Sequence, residues 1–431
     1  MGIKEANIYL DNQFNTYYAG QTVNGRIEYV FDSPKKVRGI HVKIKGEAHT
    51  EWCESKQEEN SQGKTESTDT MHTGNEEYFQ VSYYLLGSNT GNEIEIPPGK
   101  QVYNFTCTLP PVLPSSFEGE FGYVRYTVKV TLDRPWKFDQ ETKMAFTVIN
   151  ALDLNLNPSY REPIHIQLEK TFCCFCCASP PMSVDVRAPV SGYCPGQTIP
   201  ITVDIENKSN VQLHLVKIFL RKVVTYRATS PSTVTKKSKA VILTVQEGPA
   251  PASTTKHWNL TLEIPPIPPS NLVNCNIIDL DYDLKVECVV SGMHMNMKGK
   301  RYVTIGTVPL VGLPGAGTAS AGPMSTGPAS TQGGDSPAVL PVTPGYPQPS
   351  APSAPNGEGA PGGWVMPGAA PAQPPHQSLY PTLSEPVYKA SPYIPKTIQD
   401  RNDSNHTNIS GTNFSPYYPT YAAVQPPPLP Q

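Results

Sequence analysis

At 431 residues the chain is too long for a single hydrophobic core, and its formal charge of -3 is spread without runs of one sign, which argues against a nucleic-acid partner. The opening MGIKEANIYL holds no apolar run long enough for a secretory leader, and no window reaches the roughly 20 apolar residues of a membrane helix. The cytosol is therefore the expected compartment, with peripheral membrane association left open. There the nine cysteines read as thiols rather than a disulfide frame, and the sequons at Asn104, Asn207, Asn259, Asn402, Asn405 and Asn408 as chance matches. The acylation pattern MGxxx[ST] is incomplete, because position 6 is Ala6.

From the N-terminus, a short amphipathic stretch over Asp11 to Thr16 is the one segment with a helical look. Strand patterns follow. In VRGIHVKIKG, Ile40, Val42 and Ile44 alternate with His41, Lys43 and Lys45, the period-2 signature of a strand with one wet face. TIPITVDIEN repeats the pattern with Ile199, Ile201, Val203 and Ile205 on one face, and Gly, Pro or Asn breaks punctuate the runs.

Three blocks occur twice in the same order. YYAGQT (Tyr17 to Thr22) returns as YCPGQT (Tyr193 to Thr198). NFTCTLPPVLPS (Asn104 to Ser115) returns as NLTLEIPPIPPS (Asn259 to Ser270), and VRYTVKV (Val124 to Val130) as LDYDLKV (Leu280 to Val286). One unit has been duplicated, and the expected products are two tandem antiparallel β-sandwiches, 1–170 and 182–311, with a linker at 171–181. The spacing between copies falls from 176 residues at Tyr17 and Tyr193 to 155 at Asn104 and Asn259. The first copy thus carries about 21 extra residues, assigned to the polar run Cys53 to Glu77 as a solvated surface loop.

The linker KTFCCFCCASPP places Cys173, Cys174, Cys176 and Cys177 in two interleaved CxxC pairs. Four thiolates within five residues would strain a tetrahedral zinc shell, so no metal is assigned. Two readings stand: S-acylation with Phe172 and Phe175 as companion anchors, or simple packing of small buried thiols. No GxSxG, HExxH, GxGxxG or GxxxxGK[ST] motif occurs, so neither a catalytic role nor a cofactor is expected.

Beyond residue 311, proline governs: 25 of the 47 prolines lie in 312–431, a stretch with few charges, read as a disordered tail. Pro349, Ser350, Ala351 and Pro352 overlap Pro352, Ser353, Ala354 and Pro355 in a doubled P[ST]AP motif. Leu379, Tyr380, Pro381 and Leu383 spell LYPxL. Glu385-Pro386-Val387-Tyr388 and Ser415-Pro416-Tyr417-Tyr418 are PPxY motifs lacking their first proline, and PPPLP (Pro426 to Pro430) lacks a flanking basic residue. A Pro/Ser/Ala-rich tail can also spell such strings without function. Two small basic groups, Lys35, Lys36 and Arg38 and then Lys236, Lys237 and Lys239, suit phosphorylated tails or anionic lipid, or are solvated strand ends.

YYAGQTVNGRIEYVF, KVRGIHVKIKGEAHTEW and IPPGKQVYNFTCTLPPVLPSSFEGEFGYVRYTVKVTLDRPW resemble the N-terminal domain of the α-arrestins. SGYCPGQTIPITVDIEN through VTIGTVPL resembles their C-terminal domain. The resemblance covers about 310 residues. It implies two arrestin-like sandwiches without catalytic activity, and a trafficking adaptor that binds cytosolic parts of membrane receptors or transporters. By the same resemblance, P[ST]AP would address ESCRT-I, LYPxL an ESCRT-associated adaptor, and PPxY the WW domains of HECT-type ubiquitin ligases. Endocytosis, endosomal sorting or budding at the plasma membrane and endosomes would follow. The damaged PPxY motifs are the chief departure. A second departure is that TVQEGPAPASTTKHW lacks the cysteine through which a redox-regulated family member contacts thioredoxin, so that regulation is not expected. The rival reading is a cytosolic scaffold whose sandwiches bind a soluble partner, the tail being a spacer.

Overall fold

The computed structural model describes residues 3–59, 65–174, 177–312, 385–400, 403–409 and 413–421. Two β-sandwiches form the body. In the first, strands Ile3–Leu10, Thr22–Phe31 and Gly99–Thr108 make one sheet. The facing sheet runs in the order Thr16–Tyr18, Gln140–Ile149, Gly122–Asp133, Gly39–Glu59, Thr65–Gly87. The second sandwich sets a four-stranded sheet (Ile164–Lys170, Met182–Ala188, Thr198–Asn207, Thr254–Glu263) against a five-stranded one (Gly192–Tyr193, Met297–Ile305, Ile278–Val290, Leu213–Ala228, Val234–Glu247). The alternation read in the sequence is the burial pattern: Ile40, Val42 and Ile44 are sealed in the first core, and Ile199, Ile201, Val203 and Ile205 in the second.

The duplicated blocks are duplicated hydrogen-bond modules. Gly20 (φ +85°) and Gly196 (φ +84°) each hold a left-handed turn that a side chain would strain. The side-chain oxygen of Gln21 accepts from the Tyr18 amide at 2.8 Å, and that of Gln197 from the Cys194 amide at 2.7 Å. The Tyr126 hydroxyl donates to the Pro114 carbonyl at 2.6 Å, and its counterpart Tyr282 to Pro268 at 2.8 Å. Ser116 accepts from the Val148 amide, and Ser270 from the Ile305 amide, both at 2.9 Å. The equivalent of Ser270 is therefore Ser116 rather than Ser115. The register slips by one residue at the end of that block.

Four expectations change. Ile164–Lys170 pairs along its length with Met182–Ala188, so it opens the second sandwich instead of closing the first. Asp11 to Thr16 forms a turn, with Asn12 Oδ1 accepting from the Phe14 amide and Asn15 at φ 48°, and no helix. The polar run from Cys53 to Glu77 is no loop. It makes the ends of Gly39–Glu59 and Thr65–Gly87, one long antiparallel hairpin whose tip, residues 60–64, lies outside the described residues. Its outer half, wet on both faces, shows no hydrophobic alternation, and is held by the backbone ladder with the Ser55 hydroxyl donating to Asp69 across the strands. Its shaft also joins the sandwiches: the Thr73 amide donates to the Ser230 carbonyl at 2.8 Å, and the Ser230 amide to Thr73 at 3.0 Å. Gly74 is obligatory there, since a Cβ would stand 2.7 Å from the Arg227 carbonyl.

The fourth change concerns 312–431. Residues 313–384 lie outside the described residues, but three stretches between 385 and 421 lie folded on the body, in one compact unit with both sandwiches. Val387–Ala390 pairs antiparallel with Tyr417–Thr420, and Thr407–Ile409 adds a parallel strand beside Glu141–Lys143. Among the described residues no helix is long and apolar enough to cross a membrane.

Candidate functional site: the docked C-terminal segment

The two incomplete PPxY motifs are brought together. Their strands pair with Tyr388 opposite Pro419 and Lys389 opposite Tyr418, while the Ser391 amide donates to the Pro416 carbonyl at 2.8 Å. Tyr418 is 1% exposed, its hydroxyl donating to the Ser116 carbonyl at 2.9 Å, and burial pushes its ionisation far up. Ser116 is thus used twice: its side chain locks Val148, and its carbonyl receives the docked tyrosine. Tyr388 rests with its ring 5.6 Å from Phe14, its hydroxyl 3.3 Å from that of Tyr18. Farther on, the Tyr421 hydroxyl donates to the Thr307 carbonyl at 2.7 Å, so the segment also reaches the second sandwich. An aromatic side chain already inserted in a core cannot also fill a partner's groove.

Electrostatics fix the middle of the segment. Asp400 and Asp403 converge on Lys143, which is only 4% exposed, with Asp403 Oδ2 at 2.8 Å from its Nζ. Lys129 lies 3.0 Å from Glu141 and 3.7 Å from Asp403, and the Thr407 hydroxyl donates to Glu141 at 2.6 Å. Burial alone would push Asp403 up. The Asp400 amide and the Lys143 ammonium outweigh it and hold the carboxyl below its ordinary range. Glu141 is likewise held low, burial being overcome by Thr407 and Lys129. Beneath them Arg125 grips Glu118 through both carboxylate oxygens at 2.8 and 2.9 Å, with Asp400 3.6 Å away. Glu118 still sits above the ordinary range, because burial exceeds the pull of Arg125. From the second sandwich, Lys222 lies 3.7 Å from the centre of the Tyr393 ring; burial, with Lys396 adding repulsion, pushes it down to about 8.

Sequence reasoning named four of these residues, Pro386, Tyr388, Pro416 and Tyr418, for another chemistry, and missed Lys129, Lys143, Arg125, Glu118, Asp400 and Asp403. A signal was present: from Tyr388 onward the tail regains Phe, Ile and Lys, which 313–370 lacks. The P[ST]AP residues 349–355 and Leu379, Tyr380, Pro381 and Leu383 lie outside the described residues. Cys173–Cys174 pairs with Cys177–Ala178 as a small hairpin, with Cys176 and Phe175 outside the described residues. Phe172 is buried against His294, and so is not available as an exposed anchor. Among the described residues no three His, Cys, Asp or Glu side chains converge as a metal site. The basic groups are largely engaged: Arg38 with Asp133, Lys35 with Asp32, and Lys236 over the Phe121 ring at 4.4 Å.

Comparison with known proteins accounts for this architecture. Residues 6–155 match the arrestin (or S-antigen) N-terminal domain, and residues 178–310 the arrestin C-terminal domain. Arrestin domain-containing protein 17 of Caenorhabditis elegans is 31% identical over 295 residues, 65% of this chain and 66% of that protein. Human arrestin domain-containing protein 4 is 31% identical over 309 residues, 71% of each chain. Human thioredoxin-interacting protein is 28% identical over 296 residues, 67% of this chain and 71% of its own length. The chain belongs to the α-arrestin family of arrestin domain-containing proteins.

Proposed function

We propose that this α-arrestin is a non-catalytic trafficking adaptor that grips cytosolic parts of membrane receptors or transporters with its sandwiches and brings ESCRT and ubiquitin-ligase machinery to them through the region after residue 312. Family membership supports an arrestin-type adaptor role. The observation that carries the finer reading is the order along the chain. Two extended-peptide motifs, Pro349 to Pro355 and Leu379 to Leu383, lie between the end of the second sandwich and a segment docked on the body. Prolines lower the entropy lost when such motifs bind as extended peptides.

In this reading the ligase connection is conditional. Tyr388 and Tyr418 serve first as anchors of the docked segment, and reach a WW domain only when it lifts. Two retention assays with the full-length chain test the proposal. Immobilised ESCRT-I ubiquitin-E2-variant domain and the V domain of an ESCRT-associated adaptor should each retain it. Tyr380→Ala should abolish retention on the V domain, and Pro352→Ala on the other. Failure of both domains to retain the wild type would leave the scaffold reading in place. WW domains should hold an Asp400→Lys, Asp403→Lys double variant better than the wild type, because it frees the segment without altering either tyrosine motif.

A further inference from the structure

The loop between strands Gly122–Asp133 and Gln140–Ile149, residues 134–139 with sequence RPWKFD, plays no part in the packing of either core. Trp136 is 98% exposed and Phe138 76%. Trp136 also adopts φ +60°, following Pro135 in a turn where a second central residue of positive φ is ordinarily Gly or Asn. The loop is fixed all the same. The Arg134 amide donates to Asp139 Oδ1 at 3.2 Å, and its guanidinium to the Phe138 carbonyl at 3.0 Å. At the base, Arg38 donates twice to Asp133, which ties the basic stretch Lys35 to Arg38 to the same tip. Lys137 makes no ion pair among the described residues, and Lys36 is held only at 3.9 Å from Glu93. Phe138 stacks on His406 of the docked segment with ring centroids 5.1 Å apart, whereas the strained backbone at Trp136 holds its ring clear of the body.

We propose that this tip is a membrane-interface anchor, inserting Trp136 among the headgroups of a bilayer that carries anionic lipid, with the open edge of Phe138 beside it and Lys137 and Arg134 meeting the lipid phosphates. Trp and Phe interleaved with Lys and Arg is the composition that settles at a bilayer interface, ring inward and cation outward. A protein partner fits less well. Six projecting residues fall far short of the roughly 800 Å² that a stable interface buries on each side, whereas a bilayer needs no complementary hollow. The site is separate from the cysteine hairpin, and deepens the membrane-association part of the adaptor reading, on which it rests.

The test is co-sedimentation of the full-length chain with vesicles of phosphatidylcholine alone and of phosphatidylcholine with phosphatidylserine. Wild type is expected to pellet with the anionic vesicles, Trp136→Ala roughly tenfold less and Lys137→Glu roughly fivefold less. Circular dichroism confirms folding of the variants. Should Trp136→Ala fail to fold, brominated lipid is expected to quench wild-type tryptophan fluorescence more than that of Trp136→Phe. Equal pelleting of wild type and folded Trp136→Ala, equal quenching of wild type and Trp136→Phe, or indifference to phosphatidylserine would overturn the proposal. Because Trp136→Ala leaves the tail motifs untouched, its retention on ESCRT domains should be unchanged, which separates failure of the anchor from failure of the adaptor reading.

Discussion

Tyr418 combines a ring filling the space beside Ser116 with a hydroxyl that satisfies a carbonyl otherwise cut off from water. Tyr418→Phe keeps the ring and is expected to weaken docking by about 1 kcal/mol. Tyr418→Ala removes both, costs about 3–5 kcal/mol, and should expose residues 385–421 to limited proteolysis while the sandwiches stay intact. Lys222 makes a pH prediction. Its pKa falls from the ordinary 10.5 to about 8 on folding, so between those values the unfolded chain binds the extra proton and stability rises with pH. Lys222→Met should flatten that rise in urea titrations across the same window. Asp403 has the same sign at the acid end: held below its ordinary 3.8, it contributes stability above that value and loses it as pH falls through the lower folded one. Tyr388 and Tyr418 could be picked out in the sequence, but their role could not, since burial is decided by what Ser116 and Phe14 offer from the far end of the chain.

Elements divide by whether their signal is local. Strands with one buried face announced themselves through Ile40, Val42 and Ile44 or Ile199 to Ile205, and the repeats located equivalent turns because Gly20 and Gly196, Gln21 and Gln197 do the same work. The long hairpin was illegible because its outer half is solvated on both faces, and only Trp52 stacked on His72 at 5.6 Å marks where it is covered. Ile164–Lys170 was misplaced for another reason: an alternating strand does not say which sheet it joins, and its partner lies across the cysteine linker. Gly74→Val tests the hairpin's role between sandwiches. Its side chain would collide with the Arg227 carbonyl and disturb the Thr73–Ser230 bridge, so a loss of about 1–3 kcal/mol is expected in thermal unfolding. Gly91→Val, near an exposed turn, should change the melting temperature less.

At the scale of the molecule, two duplicated sandwiches and a returning C-terminal segment form one folded unit, leaving the motif-bearing residues 313–384 between two attached ends. The segment's hold rests on carboxylates set against Lys143 and Lys129 and on tyrosines set into both sandwiches. Removing Asp400 and Asp403 together leaves the buried Lys143 without its two carboxylate partners, at a cost of about 3–5 kcal/mol to the docked state. The most direct measurement is hydrogen exchange of the full-length chain, followed at Tyr417, Tyr418 and Thr420 and at Thr407–Ile409. Docking requires their amides to exchange orders of magnitude more slowly than an unstructured peptide, and to lose that protection in the Asp400→Lys, Asp403→Lys variant. Exchange at the unstructured rate in the wild type would contradict it, and the tyrosines would be open to partners at all times.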